Sequence, residues 1–311
     1  MASNYPNGIQ DLVLRGAPIT QLHPGKVFFV NGSSVLAAGG TAGSNGNPGT
    51  YQRPFATIDY AIGRCTAGRG DIIAVMPGHT ETVSTASGIA LDVAGVAVIG
   101  LGSGSLRPTI NYTATAATLT MSAANCKLIN ILHTGGIDAV VSPIVVSAAD
   151  CMIISNELRD VTGQMTDGIL TTAGATRLKI LNHVHSGDSA AGTNTAIAIV
   201  GGSGIEITID KMDGNFAIGG ISVRTTATTD LFVHDVQYFR TRNSADIFLV
   251  DTITGSTGQI GPNINLRLQD NAANITESIT GATFVVIDPV YVVNLAGEKG
   301  MLINWTASTD A

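Results

Sequence analysis

A short apolar segment with alternating side chains recurs along this chain at a near-constant interval, and that recurrence limits the fold more than any other property. Its first inward-looking residues are Leu119, Ile144, Ile169, Ile197, Ile221 and Ile247. Two positions later stand Met121, Val146, Thr171, Ile199, Val223 and Leu249, the period of a strand with one face buried. A second set keeps step with the first: Asn130, Asn156, Asn182, Asp210 and His234, with Leu132, Leu158, Val184, Met212 and Val236 two residues further on. Two columns that hold one spacing through insertions read as stacked layers of about 26 residues. The unit is too short for a strand–helix–strand repeat and lacks an amphipathic helix. The expected fold is therefore all-β, a single-stranded parallel β-helix whose coils hydrogen-bond to the coils above and below, about 4.8 Å away.

Composition narrows the partners. Of the 311 residues 13% are charged and 44% hydrophobic, against a usual charged share of about 25%, which argues against coiled coils and solvated disorder. A net charge of −7 with five Lys offers no basic stripe for phosphate backbones, so no nucleic acid is expected as partner. No membrane partner is expected either: the most apolar stretch, Gly88 to Gly102, is short and carries Asp92, and the opening residues Met1 to Gln10 do not read as a secretory leader. Cys65, Cys126 and Cys151 lack the paired spacing of a zinc site and read as buried thiols. Neither a cofactor nor a metal is expected. The glycine-rich run Val96 to Ser105 departs from a dinucleotide fingerprint at its sixth position, and Arg69-Gly70-Asp71 reads as strand-opening structure.

The recurring Asn130, Asn156 and Asn182 are expected to form a structural ladder, because an amide both donates and accepts and suits a bent corner. Next to them Ile131, Glu157, His183, Lys211 and Asp235 are expected to stack on one outer face, and His133, Arg159 and His185 to form a further outward column. Glycosidase chemistry would need two carboxylates about 5–9.5 Å apart. Glu157 and Asp160, in one layer and about 10 Å apart along an extended strand, are the pair to consider. The expectation is that the chain is not an enzyme.

Three segments, Ile129-Asn-Ile-Leu-His133, Ser155-Asn-Glu-Leu-Arg159 and Leu181-Asn-His-Val-His185, resemble the repeat of the right-handed, pectin-lyase-like β-helix superfamily. The stretch from Gly43-Ser-Asn-Gly-Asn-Pro48 through Pro54-Phe-Ala-Thr-Ile58 to Gly70-Asp-Ile-Ile-Ala-Val-Met-Pro-Gly78 resembles the N-terminal cap of viral and bacterial members. That resemblance implies a short helix over Phe55 to Arg64 plugging the first layer. It speaks to fold and leaves chemistry open, since the superfamily holds lyases, hydrolases, tailspikes and inert virion proteins.

Three regions are expected: an extended arm over 1–39, the β-helix with its cap over 40–270, and a C-terminal β cap or oligomerisation module over 271–311. Ile9, Leu12, Leu14 and Ile19 make the arm apolar enough to order against a partner. The run Thr283 to Leu295 is expected to leave the 26-residue register and cover the open solenoid end. Taken together, arm and capped β-helix resemble head decoration or cement proteins of tailed bacteriophages. This implies a homotrimer, made in the host cytoplasm and seated on the capsid exterior, that binds the major capsid protein. The alternative is a tailspike or fibre-type protein that binds, and in some members cleaves, host-surface polysaccharide.

Overall fold

The computed structural model describes residues 13–14, 17–18, 25–33, 36–160, 165–187, 192–241, 247–268, 279–280, 285–286, 290–293 and 299–302. The chain is a parallel β-solenoid of about seven turns with about 27 residues per turn. Each coil supplies three short strands, for example Lys127–Ile129, Leu132–Gly135 and Ile144–Val146, which form three walls. The first two walls share a 17-stranded sheet, joined where Lys179–Gly187, Glu206–Gly214 and Leu231–Thr241 run through the corner between them, and the third wall is an eight-stranded sheet.

The core is a set of vertical columns. On the third wall Leu119, Ile144, Ile169, Ile197 and Ile221 stand in register, as their spacing predicts. The next partner of Ile221 is Leu249, not Ile247. A slip of two residues keeps the same face of a strand, so alternation alone could not separate them; burial does, since Leu249 is fully buried and Ile247 is not. Cys126 and Cys151 stack in adjacent coils as buried free thiols, while Cys65 is half-buried.

Opposite the core, the outward column of the third wall reads Ala90, Thr120, Val145, Leu170, Ala198, Ser222, Val250 and Thr280. Not one of these side chains is charged.

The N-terminal end is closed by the chain itself. The helix is Ile58–Ile62, shorter than expected, and it turns Ile58, Ala61 and Ile62 into the first coil. Asp59 Oδ1 accepts from Ala90 N at 3.0 Å, so a carboxylate occupies an edge amide of the third wall. The expected arm ends before 39: Val27–Val30 is a strand of the solenoid, paired in parallel with Ile72–Val75. Its other edge is bonded to Gly49 and Phe55 (Phe29 N to Gly49 O 2.9 Å, Phe55 N to Phe29 O 2.8 Å). Asp71 is buried and accepts from Lys26 N, Thr66 N and Arg69, so the Arg69-Gly70-Asp71 carboxylate is consumed internally.

The C-terminal expectation is corrected. Val285–Val286 and Val290–Val293 pair in parallel with the preceding coil through Gln259↔Val285 and Ile264↔Val290, so these two strands of the run hold the register instead of leaving it. Val290 and Val292 enter the core while Tyr291 and Val293 stay exposed, the ordinary alternation of a half-buried strand. Lys299–Leu302 then folds back antiparallel onto Val290–Val293 and covers that edge.

Candidate functional site

Glu157 and Asp160 share the strand Glu157–Asp160 but leave it on opposite sides, because an odd separation reverses the side-chain direction. Glu157 faces outward and holds two guanidinium groups, Arg107 at 2.8 Å and Arg159 at 2.7 Å. Asp160 faces inward, is buried, and accepts from Met165 N at 3.0 Å, from Thr193 N at 2.6 Å and from the Thr193 hydroxyl. The two carboxylates do not converge on any common space. Asp160 acts as a clamp, tying its own strand to backbone one and two segments further along the chain. Replacing Glu157 by Ala is expected to cost about 1 kcal/mol or less, the range of a partly exposed ion pair. Asp160→Ala leaves buried donors without their acceptor and is expected to cost about 3 kcal/mol or more. Urea unfolding midpoints of the two variants check this, and the reverse ranking would refute the assignment.

The asparagine ladder is also corrected. The register places Asn130 against Ser155 and Ser155 against Asn182, with Ile131, Asn156 and His183 forming the next column. Asn130, Ser155 and Asn182 hold the corner at φ of 57°, 52° and 53°, and Asp235 and Asn263 do the same further up. Short polar side chains tolerate this left-handed backbone best after glycine. Asn130 donates to Gly100 O (2.8 Å) and Gly102 O (3.0 Å) and accepts from Arg107 Nε; Asn182 exchanges its contacts with Thr208. Asn156 sits one position on, wholly inside, where Oδ1 accepts from Ile131 N at 2.9 Å and Nδ2 donates to Leu128 O at 2.7 Å. The three amides therefore do two different jobs.

The two expected outer columns dissolve for the same reason. A left-handed corner residue inverts the alternation, so residues counted as outward before it are inward after it. Leu132, Glu157, Val184 and Lys211 share one outward column. His183 pairs with Ile209 and is buried, with Ile131 in the column beside Glu157's. His133 and His185 are fully buried in an inward column with Ile110, Leu158, Met212 and Phe239, while Arg159 alone faces out. Burial pushes the His133, His183 and His185 imidazoles down from 6.5 to about 4, about 3 and about 4. Both ring nitrogens of His183 and of His185 make no hydrogen bond among the described residues.

Five ion pairs join side chains of different coils. Arg177 grips Asp150, Lys179 meets Glu206, and Arg240 takes Asp213 at 2.8 Å, each one coil away; Arg107 and Arg224 reach further, to Glu157 and Asp167. The Arg177 guanidinium holds Asp150 below the usual carboxylate range, and Asn263 with His234 does so for Asp235. Asp167 is pushed up by burial despite Arg224. Sequence reasoning passed over these pairs, although their signal is plain: opposite charges separated by one coil length.

Among the described residues no group of three or more metal-ligating side chains forms, and no helix is long and apolar enough to cross a membrane. Of the arm residues, Ile9, Leu12 and Ile19 lie outside the described residues. Leu14 belongs to the two-residue strand Val13–Leu14, antiparallel to Ala17–Pro18. No protein-family model, curated protein or solved structure matches the chain.

Proposed function

We propose that this chain is a structural virion protein of a tailed bacteriophage, a head decoration protein that binds the major capsid protein as a homotrimer on the shell exterior. The observation that carries the reading is the third wall, whose outward column of eight residues from Ala90 to Thr280 contains no charge. Interface cores are depleted of charge, and the strip's half-buried Ala, Thr, Val and Leu side chains, interrupted only at the buried Ala198 and Ser222, allow close approach of another subunit. Elsewhere five ion pairs tie one coil to another, which stiffens the rod. A stiff rod that buries surface across capsid subunits adds binding free energy to the expanded shell.

Mass photometry of the isolated protein is expected to give a trimer, and Val145→Asp with Val250→Asp, both outward on the third wall, a monomer of unchanged secondary structure. The trimer should sediment with DNA-free expanded heads stripped of decoration. A wild-type monomer at micromolar concentration, or no sedimentation with heads, would defeat the proposal.

A further inference from the structure

The first wall carries an outward aliphatic stripe that the proposal above does not use. Phe29, Ala74, Ile99, Ile129, Ile154 and Leu181 stand in one vertical register on its outer side. The first two are buried because the chain covers them: Ala37 and Tyr51 pack over Phe29, Ala74 and Met76, with the Tyr51 ring edge-on to Phe29 at 5.6 Å. From Ile99 to Leu181 the same stripe is only half-buried. It is rimmed by Lys127 and Lys179 on one side and by the Arg107, Glu157 and Arg159 network on the other. An apolar strip with a polar rim is the form of a docking surface.

We infer that this stripe seats the chain's own N-terminal segment, residues 9–19, in the free protein. That segment is the stretch of chain leading into Val27–Val30, the strand that starts the stripe, and Lys26 N is fixed there on Asp71 at 2.7 Å. The five residues 20–24 that link it to that strand reach about 17 Å when extended, and Ile99 to Leu181 spans about 14 Å at one coil per 4.8 Å. Ile9, Leu12, Val13, Leu14 and Ile19 supply the matching apolar side chains. Attachment through a few residues gives an effective concentration of about millimolar, which favours the chain's own arm over a neighbour's. The inference stands whether or not the protein decorates a capsid.

Arg15 is the sole Lys or Arg before Lys26, so trypsin reads the state of the arm. In the full chain, cleavage at Arg15 is expected to be slow at every protein concentration, and at least about tenfold faster in Ile129→Glu with Ile154→Glu, whose altered side chains point away from the core. As a second measurement, Leu12→Cys with Ile154→Cys in a Cys65→Ser background should oxidise to a cross-link within one chain. Leu12→Cys with Val250→Cys on the third wall should not. Equal cleavage rates overturn the inference. Protection that fades on dilution, or cross-links formed between chains, also overturns it by assigning the stripe to a second copy.

Discussion

Acidification from pH 7 to pH 4.5 will lower the melting temperature of this protein steeply, and the loss will come from three imidazoles in the middle of the rod. His133, His183 and His185 are fully buried, and burial holds them at about 4, about 3 and about 4 against 6.5 when the chain is unfolded. The unfolded state binds the protons first, so their contribution is complete above pH 6.5 and is lost as the pH falls toward 4. One unit of displacement is worth about 1.4 kcal/mol, so a single imidazole held near 4 accounts for about 3 kcal/mol. The surroundings do little to accept the charge: Arg107 opposes it at His133, whose other neighbours Tyr112 and Asn156 are neutral, and Asp213 favours it at His185. Asp71, Asp150, Glu206 and Asp235, all held low, lose their contributions only below the ordinary carboxylate range, whereas Asp167 and Asp251, raised by burial, act in the opposite sense. The vertical register names the control: His133→Ile, His183→Ile and His185→Met give each position the residue type of its neighbour Ile110, Ile209 or Met212. That triple variant should melt at nearly the same temperature from pH 7 to pH 5. A wild type with no slope there, or a triple variant that keeps it, would contradict the account.

The second large effect separates Asn156 from Asn182. Asn156→Ala is expected to cost about 3 kcal/mol or more, because the Ile131 N–H and the Leu128 carbonyl lose their partner inside the solenoid where no water replaces it. Asn182→Ala should cost about 1 kcal/mol, mostly the strain of a β-carbon residue without a local hydrogen bond at φ 53°. Glycine distinguishes the causes: Asn182→Gly should be close to neutral, since glycine accepts that backbone freely, while Asn156→Gly should be as damaging as Ala. Chemical denaturation of the four variants gives the comparison, and a neutral Asn156→Gly would remove the interior role assigned to that amide.

The repeat length, the parallel stacking and the inward aliphatic column were all legible in the sequence, because each coil must place an apolar residue at the same height. What could not be read was parity across the corners. Asn130 and Asn156 look like members of one column at a spacing of 26, yet the coil between them has a register of 25, and the residue type suits a left-handed corner and an interior acceptor equally well. The same inversion hid His133, His183 and His185, which counting by twos from the corner asparagines places in solvent. Val290 was missed for a different reason: the long interval between Val250 and its partner Thr280 breaks the rhythm just before the final coil resumes it. At the candidate site the residues Glu157 and Asp160 were found, but the wall between them was not, since it depends on which side of a strand each side chain leaves.

The cross-coil ion pairs carry an evolutionary corollary. Because Arg177 with Asp150, Lys179 with Glu206 and Arg240 with Asp213 each join one repeat to the next, the rod is modular in length. Duplicating or excising a whole turn of about 27 residues re-forms bonds of the same kind and leaves both plugs untouched. Indels of any other size misalign every column downstream. Relatives of this protein should therefore differ in height by whole storeys, roughly 4.8 Å each, and hardly at all in girth.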